Sequence, residues 1–512
     1  MNWFDNTHPD YDFNVEKWVY SRDHYEARVL WEDYIDTYLI KRSQGETDDG
    51  YNERKSLADY TPFFAYVTES IVGRMFAVSD KNVRQWQGEQ VQGLGDPKEP
   101  GTPAFIMSNN ADGLGTNWEV FWKQASIDTP VYSRLWFVVD PKTDTRKQPA
   151  VRILNPLDVP DWYEPDGHLT QVKVSDNDFI RDGIFELSEN DEQYLVYELD
   201  GWTRYRKRYV QATDEKTGRD ITKEIVEEVN SGAYYFEDRN GDQMLPIFYV
   251  DLPLRRNSGY ILSKKNNVIF NKESDRDWLE RTSNYQKLVH YADDDEFAQA
   301  AKRLSEGSNF IQGDKDASHR TEYISPDSAP ATINRESLQQ KIEHFLYVAS
   351  KEYSDSAKEK TATERRLDDA EGVGAFLELL SSTIDEAENR VLWLLEQCYF
   401  PAKVVSLNES GDLVTQTELS SNRQYWGQAF VERTKDFQPV DMAQMVKEIK
   451  ETYFGIDAIP ANTEAKLQAA QTINEFYSIQ ADEDELRNAI ESGTSAGVQQ
   501  TDVDDELARL GL

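Results

Sequence analysis

The chain has 512 residues, enough for two or three hydrophobic cores. Its mean hydropathy is −0.73, but 12% aromatic content argues against a chain disordered throughout. Fifty-six Lys and Arg against 94 Asp and Glu leave a net charge of −38, which disfavours a conventional nucleic-acid binder needing a basic footprint. An acidic surface kept for solubility and an acidic wall past which a polyanion slides both remain open. The single Cys398 excludes an intrachain disulfide framework and a thiolate zinc site, and its apolar helical setting predicts a buried thiol. No basic-then-apolar leader opens the sequence, and no apolar run approaches the ~18 residues of a membrane span. A reducing cytosol, or a particle assembled in it, is the expected setting.

In chain order, aromatic and aliphatic residues recur every three or four positions over residues 14–40 and 53–78, predicting amphipathic helices. The Gly/Pro-rich QGLGDPKEPGTP closes this helical opening, and a further helix carries Trp118, Phe121 and Trp122. Between about Ser133 and Asp251 the pattern becomes short β-branched and aromatic runs. Asp166-Gly167, Asp182-Gly183, Asp200-Gly201 and Asn240-Gly241 separate them, which predicts an antiparallel meander with tight turns.

From about Tyr260 a long helix is expected, with Ile269, Trp278, Tyr285 and Leu288 along it. Its Lys264, Lys265, Lys272, Arg276, Arg281 and Lys287 make it net positive in a very acidic chain. A short mixed segment follows, with candidate strands SNFIQ and TEYIS. The next helix has Leu338, Ile342, Phe345, Leu346, Ala349 and Tyr353 on one face. The polar stretch KEKTATERRLDDAEG then reads as a break before a third helix. Leu377, Leu380, Ile384, Ala387, Val391, Leu394 and Cys398 line that helix at alternating steps of three and four. Beyond Val440 several short helices and an acidic end are expected.

Catalytic patterns are poor. There is no GxxxxGK[ST] phosphate cradle and no HExxH zinc pair. Asp176-Asn177-Asp178 begins like a calcium loop, but Ile180 and Arg181 stand where a ligand and the glycine belong. Gly493-Thr494-Ser495-Ala496-Gly497 matches GxSxG, yet a helical acidic segment precedes it and no histidine follows it. The adjacent acids Asp368-Asp369 could serve as acid and base, but such pairs arise by chance among 94 acids. The six histidines form no metal-spaced cluster. Lys358, Lys360, Arg365 and Arg366 make a basic cluster at the expected helix break. It is either a solvated loop pairing with acids of a neighbour or a weak, sequence-blind contact with a phosphate backbone.

Taken in order, several stretches resemble the portal proteins of tailed bacteriophages. They are ERKSLADYTPFFAYVTESIVGRMF, SNNADGLGTNWEVF, LWFVVDPKTD, VRILNPLDVPDWYEPDGHL, TATERRLDDAEG and ERTKDFQPVDM, and the resemblance spans roughly residues 14 to 480. It implies an α+β, mostly helical and elongated protomer. Residues 1–260 would form a wing with a β-rich part at 133–251, 261–291 a first stem helix, and 292–333 a small mixed clip. Residues 334–357 would form a second stem helix, 358–375 a tunnel loop, 376–439 a long helix returning into the wing, and 440–512 a helical crown with an acidic tail. The resemblance further implies a non-enzymatic homo-oligomeric ring of about twelve copies at one capsid vertex of a virion, assembled in the host cytoplasm. Double-stranded DNA would pass through it non-specifically. Terminase large subunit, head–tail adaptor, major capsid and scaffolding proteins would be its partners, with no membrane, metal or cofactor. Lys358, Lys360, Thr361, Thr363, Arg365 and Arg366 would then face the DNA channel. Another ring-forming virion component and an acidic carboxylate hydrolase are the alternatives.

Overall fold

The computed structural model describes residues 3–41, 46–77, 83–88, 93–141, 148–175, 192–213, 220–252, 257–283, 287–291, 310–313, 322–324, 329–352, 362–407 and 413–433. The chain divides into two compact units, residues 1–352 with 376–437 and residues 353–375 with 438–512. The described part of the second unit is one stretch of helix, 362–375.

Helices α1 (Pro9–Tyr25), α2 (Glu32–Tyr38), α3 (Asp48–Leu57) and α4 (Phe63–Ala77) open the first unit. The first two replace the single helix expected over 14–40, because Ala27 adopts a left-handed φ of 55° and breaks it. Local chemistry sets the starts. His8 Nδ1 accepts from the Asp10 amide ahead of Pro9, and Thr47 Oγ1 accepts from Gly50, with Asp48 and Asp49 in the first turn of α3. Strand β1 (Val83–Gln85), α5 (Pro103–Asn109) and α6 (Trp118–Tyr132) follow.

Eight strands then occupy the region expected to be β-rich: β2 (Arg134–Asp140), β3 (Ala150–Leu154), β4 (Asp161–Tyr163), β5 (Gln171–Ser175), β6 (Glu192–Glu198), β7 (Gly201–Thr213), β8 (Asp220–Ala233) and β9 (Ile247–Asp251). They form two antiparallel sheets, β3–β2–β9 and β4–β5–β6–β7–β8. The tight β6–β7 turn falls on Leu199-Asp200, one residue before the expected Asp200-Gly201, with Gly201 already paired to Glu198; Asp166-Gly167 turns β4 into β5 with both residues at positive φ. Asp182-Gly183 lies outside the described residues. Trp122, Phe137 and Phe248 stack in series at 5.3 and 5.6 Å, so α6 meets the three-stranded sheet through buried aromatic rings.

Helix α7 (Ser258–Ser283) leads into a three-stranded sheet of β10 (Lys287–Tyr291), β11 (Phe310–Gly313) and β12 (Glu322–Ile324), in the order β11–β10–β12. Helix α8 (Ala329–Glu352) follows and packs on α7. The two candidate strands are present, but the expected helix 261–291 is shorter. Leu288 lies in β10, paired parallel to β11 and antiparallel to β12, while Tyr285 is outside the described residues. Residues Leu288–Tyr291 pair with β11 and Lys287–Val289 with β12, which gives this backbone its hydrogen-bond partners in place of a helical turn.

Helix α9 (Ala362–Tyr399) begins well before residue 376, so Thr363, Arg365 and Arg366 sit on helical backbone rather than in a loop. Ala, Glu, Arg and Leu are strong helix formers, and a polar helix needs no apolar stripe to remain a helix. The helix also stops far short of 439. Pro401 follows its end, and β13 (Lys403–Leu407), β14 (Leu413–Glu418) and β15 (Phe430–Glu432) come next. β13 and β14 form a hairpin, and β15 pairs antiparallel with β1. The described fold is therefore mixed α and β, with sheets antiparallel apart from the β10–β11 pair.

Candidate functional site

Helix α7 carries the predicted basic residues. Lys264 Nζ lies 4.2 Å from the centroid of the Tyr20 ring and 5.3 Å from that of Tyr260. Arg276 bonds its neighbour Asp277 at 2.7 Å. Among the described residues, Lys265 and Lys272 have no carboxylate within ion-pair distance, and both are half-buried. Lys287 opens β10 instead of ending the helix. Its side chain and those of Arg281, Thr363, Arg365 and Arg366 lie outside the description, as do Lys358, Lys360 and Thr361 entirely.

Carboxamides of α7 fasten it to the N-terminal helices. Asn266 Nδ2 donates to Thr61 O at 2.9 Å, and its Oδ1 accepts from Phe64 N at 2.8 Å. One turn on, Asn271 donates to Tyr38 O at 2.9 Å and accepts from Ile40 N at 2.8 Å. Arg54, 1% exposed, is gripped by both oxygens of Glu46 and donates to Ser274 Oγ at 3.3 Å. Burial pushes Glu273 up to about 8 against the pull of Arg276. Burial likewise lowers His24 to about 4, where its ring stacks on Tyr20 at 4.4 Å. On α8 the expected stripe Leu338, Ile342, Phe345, Leu346 and Ala349 is buried, with Phe345 6.1 Å from Phe63; Tyr353 lies outside the described residues.

Helix α9 buries Leu377, Leu380, Ile384, Ala387, Val391 and Leu394 as expected, while Cys398 is half-buried. Its other face holds a polar ladder that pattern reading does not anticipate. Asp385 and Glu388 bind Arg433, and Glu388 also receives Arg84 Nε and Trp118 Nε1, each at 2.7 Å. Asn389 accepts from Val431 N at 2.8 Å and donates to Val431 O at 2.9 Å. Glu396 takes the amides of Gly427, Gln428 and Ala429. Gln397 pairs with both N and O of Glu237 at 2.8 Å, and Arg423 holds the Glu237 carboxylate through two bonds. Residues 427–433 thus run along α9 toward its N-terminal end, fastened at each turn. The only sequence trace is a second, polar stripe at 385, 388–389 and 396–397, opposite the leucines.

Chemically this is a mechanical arrangement. Burial raises the Glu388 carboxyl, but Arg433 and Arg84 more than offset it and hold it below the usual carboxylate value. An anion so paired is a poor proton donor. Among the described residues no group of three His, Cys, Asp or Glu side chains could hold a metal ion, and no helix is long and apolar enough to cross a membrane. Asp176–Asp178 and Gly493–Gly497 lie outside the described residues, and so do the side chains of Asp368 and Asp369. No protein-family model matches the chain, and no curated protein matches it.

Proposed function

We propose that the chain is the protomer of a tailed-phage portal, a ring at one capsid vertex through which double-stranded DNA enters and leaves. The observation that carries this reading is the run α7, three-stranded sheet, α8, in which two mutually packed helices are joined through a small mixed sheet. It corresponds to stem, clip and stem. On this reading the antiparallel sheets and N-terminal helices are the wing, and residues from about 440 onward are the crown. The clip is the docking platform for terminase and later for the head–tail adaptor.

The charge supports the same reading. A conduit must not trap its cargo, and each added Lys or Arg contact to phosphate adds affinity. A net charge of −38 with sparse cations on one helix and near residues 358–366 favours sliding. Closed rotational symmetry would cover the lateral faces of an elongated protomer. Light scattering with negative-stain imaging of the purified full chain tests the proposal. Closed rings of about twelve copies with a central channel are expected. A monomer under every condition, or an assembly without a central channel, refutes it.

A further inference from the structure

Residues 3–8 are fastened along their length. Trp3–Asp5 form a 3-10 turn lying on the face of the five-stranded sheet, just ahead of α1. Phe4 is 0% exposed and meets the Tyr194 ring edge-on at 4.6 Å. Lys173 of β5 donates to Phe4 O at 3.1 Å and to Asn6 O. Lys207 of β7 binds Asp5 Oδ1 at 2.7 Å and lies 5.5 Å from the Phe4 ring. His8 completes the attachment, its amide on Pro160 O at 2.9 Å and its ring stacked on Trp162 at 3.8 Å. One buried aromatic, one acidic side chain and two captured carbonyls are the elements of peptide recognition, not of strand pairing.

The sheet does not depend on this segment for its own charge balance. Asp161 stands directly across the ladder from Lys173, and Glu192 directly across from Lys207. Their carboxylates are 4.0 and 3.8 Å from the two ammonium groups. If residues 3–8 lift away, both lysines keep a countercharge and gain water, so no buried charge is stranded. Asp5, Asn6 and Thr7 are already exposed, and Phe4 is a buried apolar anchor. We infer that this face of β5–β6–β7 is a peptide-docking site for a Phe-Asp segment, filled here by the chain's own residues 3–8 and open to the same segment of a second copy. Such an exchange would tie copies together at small cost, because every contact broken in one copy is remade in the next. Burial holds Lys173 below the ordinary lysine value, in keeping with an ammonium that relies on carbonyl acceptors while the site is filled.

The test uses the full chain carrying Phe4→Ala and Asp5→Ala, which vacates the site, and a fluorescent peptide of residues 3–8 in place of the second copy. Anisotropy should show saturable binding to the vacated chain, with binding to wild type weaker by roughly tenfold or more because the site is occupied. A peptide with Ala for Phe should bind roughly thirtyfold more weakly, the factor expected for losing one buried aromatic side chain. Lys173→Met with Lys207→Met in the vacated chain should also weaken binding. Equal binding of both peptides, or none to the folded vacated chain, overturns the site. Hydrogen exchange on the wild-type chain gives an independent check. Amides 4–8 should open roughly tenfold or more faster than those of β6, and exchange at the β6 rate would make the segment ordinary core and refute the inference. Neither arm requires a ring, so failure here is distinct from failure of the portal reading.

Discussion

Replacing Glu388 by Gln keeps the shape of the side chain and removes its charge, at a point where three donors converge. In the wild type one oxygen receives Trp118 and Arg84, and the other receives Arg433 with a longer contact to Arg84 at 3.4 Å. Glu388 is 0% exposed and the Arg433 side chain 3%, so neither charge can turn to water. In the variant an amide NH2 faces guanidinium donors, leaving Arg433 with Asp385 and Arg84 with Glu119 at 3.3 Å. Breaking a buried pair costs about 3–5 kcal/mol. Arg433 retains Asp385 and Arg84 is 19% exposed, so the lower end, roughly 3 kcal/mol, is the expected loss. Local hydrogen exchange at residues 429–433 is the assay, because it reads the fastening of this segment directly. A loss of that size accelerates exchange there by roughly a hundredfold. The sign with pH follows from the depressed carboxyl. Its contribution is present above the unfolded value near 4.5 and disappears as pH falls through the folded value, so acid should loosen wild type but not the Gln variant. The reasoning fails if Glu388→Gln changes exchange by less than about threefold, or if Arg433→Met costs the same with and without it.

Glu273 behaves oppositely. With its folded value raised to about 8, the folded chain keeps a proton that the unfolded chain loses near 4.5, so stability declines as pH rises between those values. Glu273→Gln should flatten the thermal-melting profile between about pH 6 and pH 8, where the wild-type slope approaches roughly 1.4 kcal/mol per pH unit. Gly259→Ala would bring a methyl to 2.1 Å from Val131 O, a backbone atom that cannot step aside, and should lower the melting temperature by the equivalent of about 1–3 kcal/mol. Asn389→Leu strands Val431 N and O together, and hydrogen exchange at that residue should rise by the equivalent of about 2 kcal/mol. If the chain is the portal protomer we propose, neutral residues at Lys358, Lys360, Arg365 and Arg366 should leave ring assembly intact and reduce DNA packaging or retention, and unchanged packaging in an infection assay would refute a channel role for them.

Much of the fold is legible because apolar periodicity reports burial directly. The α8 stripe, the α9 leucines and the change of period after Ser133 all lie where the pattern puts them. What escapes it is of two kinds: polar residues assigned to solvent by default, and pairing that no local window includes. The stretch from Ala362 to Ala375 looks like a break because it is polar, yet it is helix. Gln397 looks solvated and is 2% exposed, bonded to a residue 160 positions away that no local window includes. Pairing of Lys287–Tyr291 with β11 and β12 is equally non-local, and the local pattern there is that of a continuing helix.

The carboxamides on α9 also act as a ruler. Asn389 engages both N–H and C=O of one residue, Val431, and Gln397 does the same with Glu237. In an extended chain the next residue turns its N–H and C=O to the opposite side, so a slip of one position forfeits both bonds at once. The chain crossing α9 can therefore sit in one registration and no adjacent one. An Asp or Glu in either place would keep the outline but oppose an oxygen to a carbonyl, which confines each position to the amide.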